Sequence, residues 1–66
     1  MITLGSYRHF KGKLYTVMVV AKDSETQERM IVYTSGDTIY WVRPEKMFEE
    51  EVEWLDGVRR PRFVRE

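Results

Sequence analysis

The stretch Tyr40-Trp41-Val42-Arg43-Pro44, followed closely by Met47 and Phe48, decides the fold of this chain. Aromatic and β-branched residues dominate it, which is typical of strands and predicts one over residues 38–43. On a strand, Trp41 and Arg43 share one face, and Tyr40 and Val42 share the other. The segment therefore predicts architecture, and it also holds the densest aromatic and cationic chemistry of the sequence.

Pro44 changes the structure that follows. It has no N–H to donate, so it ends the strand ladder. The same residue suits the first turn of a helix, and Glu45 suits the positive end of that turn. We therefore expect one short helical turn near residues 44–48, with Met47 and Phe48 entering the core.

Outward from this segment the periodicity is again that of strands. Residues 14–21 are apolar on both faces, which predicts a long, curved strand, and residues 29–34 predict another. Polar or glycine-containing turns are expected at residues 11–13, 22–28, 35–37 and 56–57. Shorter strands are expected over residues 7–10, 51–54 and 58–64, where Pro61 favours an edge position.

These elements predict an all-β domain: a small antiparallel SH3-like barrel of five or six strands with one short helical turn. An OB-like arrangement is disfavoured because the chain is short and lacks a long helix. The length of 66 residues predicts a single domain over residues 1–66. A domain of this size buries only about 60% of the surface of its unfolded chain, so its stability margin is narrow.

Disulfides or metals usually support such small domains. The sequence has no cysteine and one histidine, His9, so we expect no disulfide, no metal and no cofactor. It contains 2 tryptophans, 4 tyrosines and 3 phenylalanines, which supply large buried areas instead. Trp54 is expected in the core, and a core position is also favoured for Trp41. Self-association is the other expected support.

The location follows from features that the sequence lacks. Its first residues show no basic segment followed by a long apolar run, so we expect no signal peptide. No apolar stretch approaches the roughly 20 residues that span a bilayer. We therefore expect a cytoplasmic protein that does not enter membranes.

The charges are segregated although the formal net charge is zero. Basic residues stand near both ends of the chain, and an acidic block, interrupted only by Lys46, covers residues 45–56. Neutrality argues against a dedicated nucleic-acid binder, although a local basic face can survive it. Solvated strand faces are the favoured interpretation of this pattern.

A series of short motifs resembles a known family. In order they are Tyr7-Arg8-His9-Phe10-Lys11-Gly12, Ser24-Glu25-Thr26, Val32-Tyr33, Trp41-Val42-Arg43-Pro44 with Met47-Phe48, and Pro61-Arg62-Phe63. This series is similar to the bacterial family of domains of unknown function DUF1653. The chain departs from the family pattern at Lys22-Asp23 and at residues 34–37. The resemblance implies a compact β-rich domain and no assigned reaction.

No catalytic constellation is visible. His9 has no cysteine to activate, and Ser6 and Tyr7 do not define a nucleophile–base pair. Three consecutive glutamates, residues 49–51, point in different directions and are typical of a solvated run. We therefore expect a protein that is not an enzyme.

A binding module is the favoured function. If Tyr40 and Val42 face the core, Trp41 and Arg43 point outward, and either Tyr33 or Trp54 completes an aromatic surface. Tryptophan, tyrosine and arginine are enriched at binding hot spots. The expected partner is a protein or peptide, with a homodimer as one form of it.

The alternative function is contact with RNA or DNA. Basic residues near the two termini meet if the first and last strands pair, and neighbouring rings then provide stacking surfaces. A hairpin whose arginines pair with the acidic block is the structural interpretation of the same residues. The candidate nucleic-acid residues are Arg8, His9, Lys11, Lys13, Arg59, Arg60 and Arg62.

Overall fold

The computed structural model describes residues 2–36 and 38–66. These residues form strands and one short helix, as the all-β prediction requires. In chain order the elements are β1 (Gly5–His9), β2 (Leu14–Lys22), β3 (Arg29–Thr34), β4 (Tyr40–Pro44), α1 (Glu45–Phe48), β5 (Glu51–Glu53), β6 (Arg59–Pro61) and β7 (Phe63–Arg65).

The strands form two antiparallel sheets in the described part of the chain. One is five-stranded, in the order β4-β3-β2-β1-β7, and the other is the two-stranded hairpin β5-β6. The pairing of β1 with β7 confirms that the first and last strands meet. The all-β class is therefore confirmed, while a closed barrel with SH3-like topology stays a prediction.

The single last strand predicted over residues 58–64 is wrong, because Arg62 divides it. The Arg62 N–H donates to the Glu50 carbonyl at 2.7 Å, beside the β5-β6 hairpin. The Arg62 carbonyl accepts the Phe10 N–H at 3.0 Å, beyond the end of β1. The backbone thus passes from one sheet to the other at this residue and yields β6 and β7.

A β-bulge explains why β2 is apolar on both faces. Val17 lies opposite Tyr33, whereas Val19 lies opposite Val32, so Met18 is the extra residue between them. Bulges bend a strand and increase its twist. The curvature expected for this strand is therefore produced at Met18, whose side chain is exposed.

The core is small and largely aromatic. Phe48 and Phe63 stack with ring centroids 4.1 Å apart and an interplanar angle of 3°. Tyr7 and Tyr33 approach Phe48 edge-on at 5.4 and 5.6 Å. The buried hydrophobic residues are Tyr7, Val17, Ile31, Tyr33, Phe48 and Phe63.

Helix α1 confirms the helical turn, but only one of its two expected anchors enters the core. Phe48 is fully buried, whereas Met47 is 45% exposed. Successive helical residues point about 100° apart, so a helix of one turn cannot bury both. The expected core position of Trp54 is also wrong: it is half-buried at the base of the β5-β6 hairpin tip, where its indole N–H donates to the Pro61 carbonyl.

The predicted turns are confirmed where the structure describes them. The Asp23 carboxylate accepts the backbone N–H groups of Glu25 and Thr26 at 2.8 and 3.1 Å, which closes the loop between β2 and β3. Gly57 has φ +82°, a conformation that glycine adopts without steric cost in a hairpin turn. In the turn predicted over residues 35–37, Asp37 lies outside the described residues.

Phe48→Ala tests the aromatic core. Removing a fully buried phenylalanine costs about 3–5 kcal/mol, which is comparable with the total stability expected of so small a domain. We expect the variant to be largely unfolded at 37 °C by circular dichroism and thermal melting. Met47→Ala on the same turn is the control and should melt near the wild type; equal losses in the two variants would contradict the core assignment.

Candidate functional site

The apolar edge, which we define as Ile39, Tyr40, Trp41 and Val42, is the most exposed run of large apolar residues in the structure's described part. These four side chains are 52%, 57%, 50% and 61% exposed in that order. Strand β4 lies at the border of the five-stranded sheet and pairs with β3 alone. Within the described residues, β4 therefore presents exposed apolar side chains at Tyr40, Trp41 and Val42 together with an outer edge that pairs with no other strand.

The favoured core position of Trp41 is wrong. Trp41 lies directly opposite Tyr33, and Arg43 lies directly opposite Ile31, so both share the face of the sheet that carries the core. Tyr33 and Ile31 belong to an inner strand and are buried, whereas Trp41 stands at the border, where no further strand covers it. Its exposure results from its position in the sheet and not from its orientation.

Tyr33 does not complete an exposed aromatic surface, because it is only 5% exposed. Its phenolic oxygen instead accepts the Arg43 Nε–H at 3.3 Å. Tyr33 therefore holds Arg43 beside Trp41. Tyr40 and Val42 do not face the core either, since they lie on the opposite face of β4 and are both exposed. Of the three predicted partner residues, Trp41 and Arg43 are at the surface and Tyr33 supports them.

A row of valines extends the apolar edge across the outer face of the sheet. Val42 lies opposite Val32, and Val32 lies opposite Val19. Val19 is 49% exposed and Val32 is half-buried. Paired residues on one face of antiparallel strands have Cβ atoms about 4.5–5.5 Å apart. The exposed apolar surface is thus continuous from the edge to β2.

A second site, the basic-aromatic end, combines cations with aromatic rings beside the ends of β1 and β6. Lys11 Nζ and Arg62 Cζ lie 5.8 and 5.7 Å from the centroid of the Phe10 ring. Arg60 Cζ lies 5.5 Å from the Trp54 ring centroid. An open cleft of about 510 Å³ adjoins these groups. Its lining residues are Phe10, Lys11, Glu53, Trp54 and Leu55.

Carboxylates neutralise part of this basic-aromatic end. Arg60 and Arg62 form ion pairs with Asp56 and Glu50 at 2.6 and 2.9 Å. These pairs confirm the predicted hairpin whose arginines meet the acidic block. Within residues 2–36 and 38–66, Lys11, Lys13 and Arg59 form no ion pair, and Arg59 donates to the Glu51 carbonyl.

The remaining candidate, Arg8, lies away from the basic-aromatic end. Its guanidinium pairs with Glu66 at 3.2 Å and also donates to the Gly12 carbonyl. Arg8 lies opposite Val64 and therefore on the other face of the sheet from His9. The structure thus assembles His9, Lys11, Arg60 and Arg62 near one another but leaves Arg8 outside the group.

His9 contributes little positive charge to that group at neutral pH. Partial burial, followed by the nearby charges of Arg62, Lys11 and Arg43, lowers the pKa of its imidazole below the ordinary value of 6.5. The ring packs against Phe63 at 4.8 Å, and its Nδ1 accepts the Lys11 N–H at 3.2 Å. His9 therefore acts as a neutral packing residue.

The other lowered pKa values belong to carboxylates with structural tasks. For Glu45, partial burial opposes the change, but hydrogen bonds from Arg29 and the Ile2 N–H lower the pKa of the carboxyl. A hydrogen bond from Arg60 lowers the pKa of Asp56, and the Glu25 N–H lowers that of Asp23. Hydrogen bonds within turns and ion pairs thus account for the lowered pKa of all three carboxyl groups.

Two features of these sites were missed from the sequence. The cleft beside Trp54 and the 97% exposed Leu55 is one, although Asp56-Gly57 already marked these residues as the approach to a hairpin tip. The second is the exposure of residues 39–42 on both faces of the strand. No residue pattern signals this exposure, because side chains alternate between the two faces in the same way in a border strand and in an inner strand.

The architecture of the described residues is that of a small, mostly β domain with the two exposed surfaces described above. The sequence matches the family model described as "Protein of unknown function (DUF1653)" over residues 5–65, and the chain belongs to this family. It is similar to the crystal structure of a DUF1653 protein from Bordetella bronchiseptica, with a TM-score of 0.78 and 30% sequence identity. The similarity covers 96% of this chain and 85% of that one. No curated protein matches the sequence.

Two further observations concern only residues 2–36 and 38–66. They contain no cluster of three or more histidine, cysteine, aspartate or glutamate side chains arranged to hold a metal ion. They also contain no helix with the length and apolar character needed to span a membrane.

The pKa of His9 is directly measurable because His9 is the one histidine of the sequence. An NMR titration of the imidazole should give a midpoint below 6.5. The unfolded chain then binds more protons than the folded one between that midpoint and 6.5, so stability falls as pH decreases through this window. His9→Gln should remove this dependence above pH 5; a midpoint at or above 6.5 would contradict the burial of the ring.

Proposed function

We propose that this domain is a non-catalytic interaction module that binds a protein chain along strand β4. The observation that carries the proposal is the exposure of at least half of each side chain in the run Ile39-Tyr40-Trp41-Val42 at a sheet border. A bacterial, cytoplasmic setting fits the family resemblance and the absence of cysteine.

Border strands normally carry features that prevent association. Proteins protect such strands with charged side chains, prolines, bulges or covering loops. Residues 39–42 contain no charge and no proline, and the bulge of the sheet lies in β2 instead. The two protective residues of β4, Arg43 and Pro44, stand together at its end. The first part of the border is thus open to another extended chain, which adds main-chain hydrogen bonds to the sheet.

The side chains of β4 supply specificity on both faces of the added strand. Trp41 provides a large, rigid apolar surface, and Arg43 stands beside it with its Nε–H bound to Tyr33. Rings and arginine are the side chains that contribute most binding energy at interfaces. On the other face, Val42 and the valine row offer an apolar platform for the partner's alternate side chains.

A non-catalytic role also fits the titratable groups. Shifted pKa values mark active sites when they occur in a cleft with no structural explanation. Here the shifts of Asp23, Glu45 and Asp56 follow from hydrogen bonds that close a turn or an ion pair. We therefore assign a stabilising role to these three carboxylates.

The binding surface can be tested with linear peptides selected by display against the immobilised domain. We expect the selected peptides to perturb the NMR signals of residues 39–43 and to lose affinity at least tenfold for Trp41→Lys. This substitution should cost about 1 kcal/mol or less in stability, because it affects a surface residue. Leu55→Lys is the matched control and should bind normally; peptides that bind Trp41→Lys as well as wild type would contradict the proposal.

Nucleic-acid contact is the second candidate function, and one observation favours it. Lys11 and Arg62 both lie over the Phe10 ring, and the open cleft beside them reaches Trp54. Rings beside cations form the stacking and phosphate-binding surfaces of single-strand binders. Glu50, Glu53 and Asp56 lie in the same region and weaken the field, so this function ranks below protein binding.

Charge reversal at Lys11 and Arg59 tests the second function without breaking an ion pair of the described structure. If the basic-aromatic end binds nucleic acid, affinity for single-stranded RNA should fall steeply with salt, and the double glutamate variant should lose it. Lys46→Glu, on α1, is the control. No retention of the wild type on RNA or heparin at low salt would exclude this function.

A further inference from the structure

We propose that the partner at the apolar edge is a second copy of this chain, paired antiparallel through β4 about a twofold axis at Val42. The inference rests on the proposed function and names its partner. The two five-stranded sheets then become one continuous sheet, and the β4 border of each copy is covered.

The balance between buried and exposed apolar residues favours a second copy. Among residues 2–36 and 38–66, six form the buried hydrophobic core, whereas eleven large hydrophobic residues between Leu4 and Val58 remain exposed by 42% or more. Domains of this size commonly gain support from a partner subunit when they have no disulfide or metal. The sequence has no cysteine, so no disulfide can stabilise the domain. Burial of residues 39–42 against a second copy supplies stabilisation in its place.

The register of the dimer follows from the alternation of side chains. Residues that lie opposite each other in antiparallel strands share a face. An axis at Val42 therefore places each Val42 opposite the partner's Val42. Because Val42, Val32 and Val19 already form a row, the two rows join into six valines on one face of the continuous sheet.

The same register makes the other face complementary. It places Trp41 opposite the partner's Arg43, so a guanidinium meets an indole ring and gains a cation–π contact. It also places Tyr40 opposite the partner's Pro44, at the end of the ladder where the missing N–H of proline costs least. An axis at Trp41 would instead place Ile39 opposite the partner's Arg43, which offers neither contact.

Charge and area agree with self-association. Residues 38–44 contain no carboxylate, and the formal net charge of the chain is zero, so two copies approach without long-range repulsion. A stable interface buries about 800 Å² per partner. The apolar edge and Val19, each about half exposed or more, contribute the apolar part of such an area, and the backbone of β4 adds strand–strand hydrogen bonds.

Sedimentation equilibrium over a range of concentrations measures the association. We expect the wild type to approach twice its chain mass of 8.0 kDa. Val42→Lys would place two like charges opposite each other on the axis and should weaken the dimer by about tenfold or more. Leu55→Lys should leave the dimer intact. A wild type that stays monomeric at millimolar concentration overturns the inference.

Cysteine substitution in this cysteine-free chain tests the axis itself. Opposed Cα atoms in antiparallel strands lie about 4.5–5.5 Å apart, within the range of about 4.4–6.8 Å that a disulfide spans, so Val42→Cys should form a covalent dimer on mild oxidation. Trp41→Cys should not, because its opposite residue is the partner's Arg43, and Leu55→Cys controls for random collision. Crosslinking through Trp41→Cys in place of Val42→Cys overturns the register, and a dimer that crosslinks at neither β4 position overturns the interface.

These experiments distinguish failure of the second-copy inference from failure of the proposed function. If the wild type is monomeric while selected peptides bind it in a Trp41-dependent manner, the second copy is excluded and the protein-binding function stands. If peptides fail to bind β4 and no dimer forms, both are excluded.

Discussion

The stacked pair of Phe48 and Phe63 is the contact on which the rest of this structure depends. The two rings lie parallel at 4.1 Å, and the tyrosines of β1 and β3 close around them edge-on. Phe48 comes from the single helical turn, and Phe63 comes from the last strand. Their contact therefore joins the helical turn to the last strand. The described residues form a hydrophobic core of only six members, two of them aliphatic, so aliphatic packing elsewhere cannot replace this contact.

This core leaves the border of the sheet uncovered. Pro44 ends β4 and precedes α1, so the strand that carries Trp41 is joined directly to the turn that carries Phe48. The turn folds back onto the core face and covers Ile31 and Tyr33, but one turn of helix is too short to cover the border as well. The exposure of β4 is thus a consequence of how the core is closed. Because Phe48 is buried in the core just after β4, it also holds this exposed strand in an extended conformation. An extended strand can pair with another chain.

The fold was largely predictable because its signals are local. Alternating apolar residues, the proline stop and the Asp-Gly turn each act over a few positions, and the corresponding strands, helix and hairpin are observed. The predictions that were wrong concern tertiary placement. Trp54 alternates with glutamates as a half-buried strand residue does, yet its hairpin folds away from the aromatic core. The last strand reads as continuous, but the Arg62 backbone bonds to Glu50 and Phe10, which adjoin two different sheets, and this breaks the strand.

The sequence by itself determined the class of the fold, the membership in a family, and the two groups of residues with binding chemistry. Side-chain periodicity and turn residues encode these properties directly. Only the tertiary structure decided that Trp41 is exposed, that Tyr33 is buried behind Arg43, and that the arginines of the last hairpin are held by acids. These outcomes depend on which strand lies at the border of the sheet and on which charges meet in space. Strand order follows from contacts between distant residues, and no local pattern specifies it.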